Sequence, residues 1–104
     1  MKLSIIPSDK TVCEDRICYS NLDWIGTPPT VHALQWDDSV PLEVDGETYF
    51  GWVEYNDGSP NQYISTLPPW AMNACAAWTA AANPPPPPPP TPEEIQSQNK
   101  AEAT

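Results

Sequence analysis

Over most of the chain, apolar and polar residues change places every one or two positions. That is the period of strands, not the 3.6-residue period of helices. Residues 3–7 are a short apolar run and predict a first strand. Residues 11–13 and 17–19 carry β-branched, cysteine and aromatic side chains around Glu14-Asp15-Arg16, which predicts a hairpin. Val31-His32-Ala33-Leu34-Gln35-Trp36 is the clearest strand of the first half. Residues 42–44 and 47–50 flank Asp45-Gly46, a pair suited to the two-residue turn that needs positive φ at both central positions. Trp52-Val53-Glu54-Tyr55 alternates and predicts a further strand, with Gly51 before it as a candidate bulge. Residues 59–67 read as a loop or extended segment.

The period changes once, at residues 70–82, an alanine-rich stretch with no internal glycine or proline. It predicts a helix. Trp70, Ala74, Ala77, Trp78 and Ala81 fall on one stripe and form a ridge that can lie on a sheet. Pro68 and Pro69 suit a helix start, and Asn83 with Pro84 suits its end. The fold class expected is small β-rich α+β: an antiparallel meander of five to six short strands plus one C-terminal helix.

Residues 84–90 are seven consecutive prolines. Proline fixes φ and lacks an N–H, so this run is neither helix nor sheet interior. Its default is a polyproline II rod of roughly 20–25 Å. The rod divides the chain into a body (residues 1–83), a linker (84–90) and a polar tail (91–104). In the tail, Thr91-Pro92-Glu93-Glu94 is a helix-start signal. Ile95 is the tail's one large apolar residue. So short a helix is expected to fray unless a partner orders it. The rod reads as a spacer more readily than as a ligand for an aromatic groove.

Charge narrows the partners. Four basic against fourteen acidic residues give a formal net charge of −10. Nucleic acid and anionic membranes are therefore poor partners. The sequence has no apolar run of about 18 residues that would predict a membrane span. The first residues do not form a signal peptide, so the expected location is the cytoplasm where the chain is made. The odd count of three cysteines favours a reducing compartment. Cys13 and Cys18 could face each other across a tight turn, so a bond between them is geometrically open. Cys75 reads as a small buried helix residue.

Chemistry-bearing residues are sparse. His32 is the single histidine, which excludes zinc sites built from several imidazoles. It reads as a hydrogen-bonded sheet residue before it reads as a base or ligand. Asp37-Asp38 and Glu54-Asn56-Asp57 are the best carboxylate groups, but neither has the spacing of a calcium loop. Both sit where turns need aspartate for backbone reasons. No phosphate loop or nucleophile motif is present. No catalytic residue, cofactor or metal is expected. The aromatic residues are the candidates for contact with a partner: Trp70 and Trp78 on the helix, Trp36, Trp52 and Tyr55 on the strands, with Ile95 on the tail.

"IIPSDKTV" opens the chain, "VHALQW" and "GWVEYNDGSPNQYIST" follow, then the Trp- and Ala-containing helix and the proline-linked "EIQSQNKAEA". In this order the segments resemble small tail proteins of tailed bacteriophages, the tail-fibre assembly or tail assembly chaperone-like family. The resemblance implies a non-enzymatic protein that meets a tail fibre or baseplate protein, in the host cytoplasm during assembly or in the virion tail. It supplies no catalytic residues. Two departures stand out. Family members continue past the "QNKAEA" segment into a longer helical region, so the tail helix is expected to be truncated here. "PLEVDGETYF" looks like an added hairpin. Five tryptophans also suit an alternative, a small carbohydrate- or cell-surface-binding module. A hydrolase built on a carboxylate pair is the least supported reading.

Overall fold

A computed structural model describes residues 1–84. The expectations for the proline run past Pro84, the tail and Ile95 lie outside the described residues. The described chain is mostly antiparallel sheet with one C-terminal helix. Its strands are β1 (Lys2–Ile6), β2 (Thr11–Glu14), β3 (Ile17–Tyr19), β4 (Val31–Asp37), β5 (Leu42–Val44), β6 (Glu47–Tyr49), β7 (Gly51–Tyr55) and β8 (Gln62–Ile64), followed by helix α1 (Pro69–Ala82). Six strands form one sheet in the order β3-β2-β1-β4-β7-β8, and β5 pairs only with β6.

There are thus eight strands instead of five or six, and the order is not that of a simple meander. After β3 the chain leaves the sheet edge, and residues 20–30 carry it back so that β4 pairs with β1. Burial explains the arrangement. β1 and β4 supply Leu3, Ile5 and Leu34, all essentially inaccessible, and their pairing places Ile5 opposite Leu34 at the sheet centre. On β1, residues Leu3 and Ile5 alternate into this face, as the two-residue period requires.

Helix α1 covers this face from the β2–β3 side. Pro69 opens it, with Ala71 N–H donating to the Pro68 carbonyl at 2.9 Å. The Asn83 backbone and side-chain amides both donate to the Thr79 carbonyl and close it. The stripe that meets the core is Trp70, Ala71, Ala74, Cys75 and Trp78, not the expected set with Ala77 and Ala81. The seam is rotated toward the a/d/e pattern because the N-terminal half of the helix, holding Trp70, Ala71 and Ala74, is the buried half.

Turn chemistry is local and folds as expected. Asp45 and Gly46 both have positive φ, as do Asp15 and Arg16 in the β2–β3 turn. The expected bulge at Gly51 is absent. Gly51 pairs directly with Trp36, and the irregularity lies on β4 between Val31 and Ala33. Gly51 is needed for a different reason: a Cβ there would stand 2.2 Å from the Gln35 carbonyl oxygen. Residues 59–67 include an edge strand, β8.

Cys13 and Cys18 form a disulfide, contrary to the expectation of reduced thiols. The two-residue turn at Asp15-Arg16 sets the register of β2 and β3, and that register places Cys13 opposite Cys18 with Cα atoms 4.0 Å apart. Close cross-strand pairs of this kind hold their side chains on the same face of the sheet. Composition suggested the compartment; the turn decided the geometry.

Candidate partner-binding grooves

The candidate residues separate into three places. Trp70 and Tyr55 come together in the first. A groove of about 340 Å³ opens beside the start of α1 and is lined by Val31, Tyr55, Ile64, Pro68 and Trp70 among others. It lies beyond the helix, which packs chiefly on β2 and β3, and it borders β7 and β8. Trp70 is buried at 8% exposure and forms the wall on the helix side. Tyr55 is half-buried, and its hydroxyl donates to Gln62 Oε1 at 2.6 Å, tying β7 to the edge strand. β8 ends the sheet, so its outer backbone edge has no strand partner among the described residues.

Trp36 and Trp52 both border the second place. A pocket of about 270 Å³ lies at the end of β4, lined by Trp36, Trp52, Phe50, Val40 and Leu42, with Lys2, Gln35 and Asp37 as polar lining. Adjacent registers (Gln35 opposite Trp52, Trp36 opposite Gly51) put the two indoles on opposite faces of the sheet. Trp36 packs against the core and against Phe50, ring centroids 5.9 Å apart. Trp52 Nε1 donates to Glu54 at 3.3 Å.

Trp78 belongs to neither. It is half-buried at the β3 edge, edge-on to Tyr19 at 5.6 Å, and its Nε1 donates to the Ile17 carbonyl at 2.8 Å. Its role here is to pin the helix. Ile95 lies outside the described residues.

The carboxylates have turn roles. Asp37 Oδ1 accepts from the Ser39 N–H and hydroxyl, which holds its carboxyl below the ordinary value. Asp57 is lowered by the Ser59 side chain first and then by the Ser59 N–H, which donates to its Oδ1. Asp38 pairs with the N-terminal ammonium, and Asn56 Nδ2 donates to the Pro29 carbonyl at 2.9 Å. Among the described residues no group of three or more His, Cys, Asp or Glu could hold a metal ion. His32 is not the hydrogen-bonded sheet residue expected. It falls at the β4 irregularity and is exposed, and its side chain has no hydrogen-bond partner among the described residues. Cys75 is half-buried as a core-side helix residue; burial, then the Glu14 carboxylate beside it, push its thiol up to about 11.

Sequence reasoning missed Ile64, Pro68, Phe50 and Val40 as groove residues. Each sits in or beside a segment too short or too proline-rich to show a period. The one available signal was the pair of prolines before the helix, which forces an extended chain past the sheet edge.

No helix among the described residues is long and apolar enough to cross a membrane. No protein-family profile, curated protein or solved structure matches the chain.

Proposed function

We propose that this is a non-enzymatic bacteriophage tail protein that binds a tail fibre or baseplate protein, as an adaptor in the virion or as a fibre-assembly chaperone. The observation that carries the reading is the ordered set of segments "VHALQW", "GWVEYNDGSPNQYIST" and the proline-linked "EIQSQNKAEA". The first two segments lie in one sheet, and the third lies outside the described residues. "VHALQW" lies in β4, and "GWVEYNDGSPNQYIST" supplies β7 and β8, which pair side by side. "PLEVDGETYF" holds the separate β5–β6 hairpin, which leaves that unit uninterrupted.

The grip proposed is the Tyr55–Trp70 groove with the adjacent β8 edge. An extended fibre segment would add a strand to β8 and place apolar side chains in the groove. Aromatic walls supply the anchors and the backbone edge supplies the register. The tail, carried on the proline linker, would make a second contact, and tethering two weak contacts raises the effective concentration of the second. Assembly takes place in the host cytoplasm, where Cys13 and Cys18 start as thiols; their bond closes after release into an oxidising medium.

Affinity capture with a phage tail fibre protein tests the reading. Wild-type protein is captured, and Ile64→Asp, which puts a charge into the groove at the edge strand, loses capture while remaining folded. Equal failure of wild-type and variant protein to bind fibre and baseplate proteins would refute it.

A further inference from the structure

The sheet has a second face, with a chemistry unlike that of the groove beside Trp70. We infer that this face binds a neutral saccharide, one sugar ring seated against Trp52 in the pocket at the end of β4 and the next rings running over Tyr63. The inference stands apart from the identity of any tail partner.

Register defines the face. Leu3, Leu34 and Val53 are buried in the core under α1. Their neighbours in sequence therefore stand on the other side of the sheet. Lys2 lies there opposite Asp37. In the adjacent row Ser4 lies opposite Gln35, Gln35 opposite Trp52, and Trp52 opposite Tyr63. Lys2, Gln35, Asp37 and Trp52 border the pocket of about 270 Å³ together with Val40 and Leu42. The Trp52 Nε1 donates to Glu54, which holds the indole on this face. Tyr63 is 43% exposed, and the Tyr49 ring lies 5.7 Å from it, so the aromatic surface continues beyond the pocket.

Chemistry chooses the ligand. The apolar wall is the Trp52 indole with Val40 and Leu42, and the polar lining is one ammonium, one carboxylate and one primary amide. The Lys2 ammonium only donates, the Asp37 carboxylate only accepts, and the Gln35 amide does both. Lys2 is exposed and takes part in no ion pair among the described residues. The half-buried Gln35 amide has no hydrogen-bond partner among them and is open to solvent. Asp37 gives Oδ1 to Ser39 and keeps Oδ2. A sugar ring matches this set, because its C–H face lies flat on an indole and each hydroxyl both donates and accepts. An apolar wall with a few polar groups that fix orientation is the usual make-up of a small-molecule site.

Other ligands lack the match. The two charges lining the pocket cancel, and a chain of net charge −10 repels phosphates and acidic sugars. A peptide strand needs a free backbone edge, whereas β1, β4 and β7 are each paired on both sides. An alkyl chain would strip water from Lys2, Gln35 and Asp37 without replacing its hydrogen bonds.

The test is a titration of the ¹⁵N-labelled full chain with maltohexaose, cellohexaose and chitohexaose, followed by the tryptophan indole N–H signals. A hyaluronan hexasaccharide is the anionic control. At least one neutral hexasaccharide moves the Trp52 signal saturably below about 10 mM, while the Trp24, Trp70 and Trp78 signals stay. Gln35→Ala weakens that binding about tenfold, the loss of roughly one hydrogen bond, and leaves those three signals in place as the report of an intact fold. A Trp52 signal unmoved by all three neutral sugars overturns the inference. Movement with the hyaluronan control alone overturns it too, as does movement of Trp70 in place of Trp52, which puts the sugar in the other groove. A Trp52 signal that shifts on dilution of the free chain, and not with sugar, gives the face to a second copy and also overturns it.

Discussion

The Trp78 indole donates to the Ile17 carbonyl across 61 positions of sequence, at 2.8 Å, and joins the last turns of the helix to the first sheet edge. With Tyr19 against the same ring, this contact decides where α1 lies and therefore which part of the sheet face stays open. Trp70, at the other end, is the buried anchor. Trp70→Ala is expected to cost about 3–5 kcal/mol, the range for deleting a buried indole. Trp78→Ala costs less because the ring is half-buried, and Trp78→Phe costs about 1 kcal/mol, mainly the lost hydrogen bond. Urea unfolding of the three variants checks the order.

Gly51→Ala is the most damaging small substitution predicted. The added Cβ meets the Gln35 carbonyl oxygen and the Trp36 backbone, neither of which gives way as a flexible side chain would. The variant should lose the β4–β7 pairing and unfold well below the wild-type temperature. Gly46→Ala, with nothing within 4 Å of its new methyl but a φ of +81°, is the control. It should cost only about 1–2 kcal/mol of backbone strain, seen as a modest fall in Tm.

Reducing the Cys13–Cys18 bond is expected to weaken the fold without abolishing it. The bond joins residues only 5 apart, and closing so short a loop is worth about 2 kcal/mol. Unfolding with and without reductant measures the difference. Cys13→Ser/Cys18→Ser should match the reduced protein and be insensitive to reductant.

Cys75 carries a pH signature. Its thiol is raised from 9.0 to about 11, first by burial and then by Glu14. A raised value means the folded state holds the proton more tightly than the unfolded chain. Its contribution to stability is therefore intact below pH 9 and lost as pH rises toward 11. Alkylation of the native protein should be slow at pH 8 and quicken about tenfold per pH unit until about 11, since only the thiolate reacts. Cys75→Ala should remove this residue's share of the stability lost between pH 9 and 11, measured as a wild-type minus variant difference.

How much of this was legible in the sequence depends on whether the cause was local. Asp45-Gly46 announced its hairpin because positive φ at two adjacent positions is a property of those residues alone. Pro69 and Asn83 marked the helix ends for the same reason. The return of the chain to set β4 beside β1 was not legible, because it depends on Leu34 meeting Ile5 across 29 positions. β8 was hidden by its length, three residues between Pro60 and the proline pair. The grouping of the candidate aromatics was not legible. That Tyr55 and Trp70 border one groove, and Trp36 and Trp52 another, shows only once the strand order is known.

The most direct measurement is quantitative mass spectrometry of fibre-containing fractions, from purified phage particles and from infected-cell lysate. The account predicts this chain in a fixed ratio to the fibre protein in at least one of the two: in particles if it stays as an adaptor, in lysate complexes alone if it acts in assembly and leaves. Its absence from both fractions would contradict a tail-associated role.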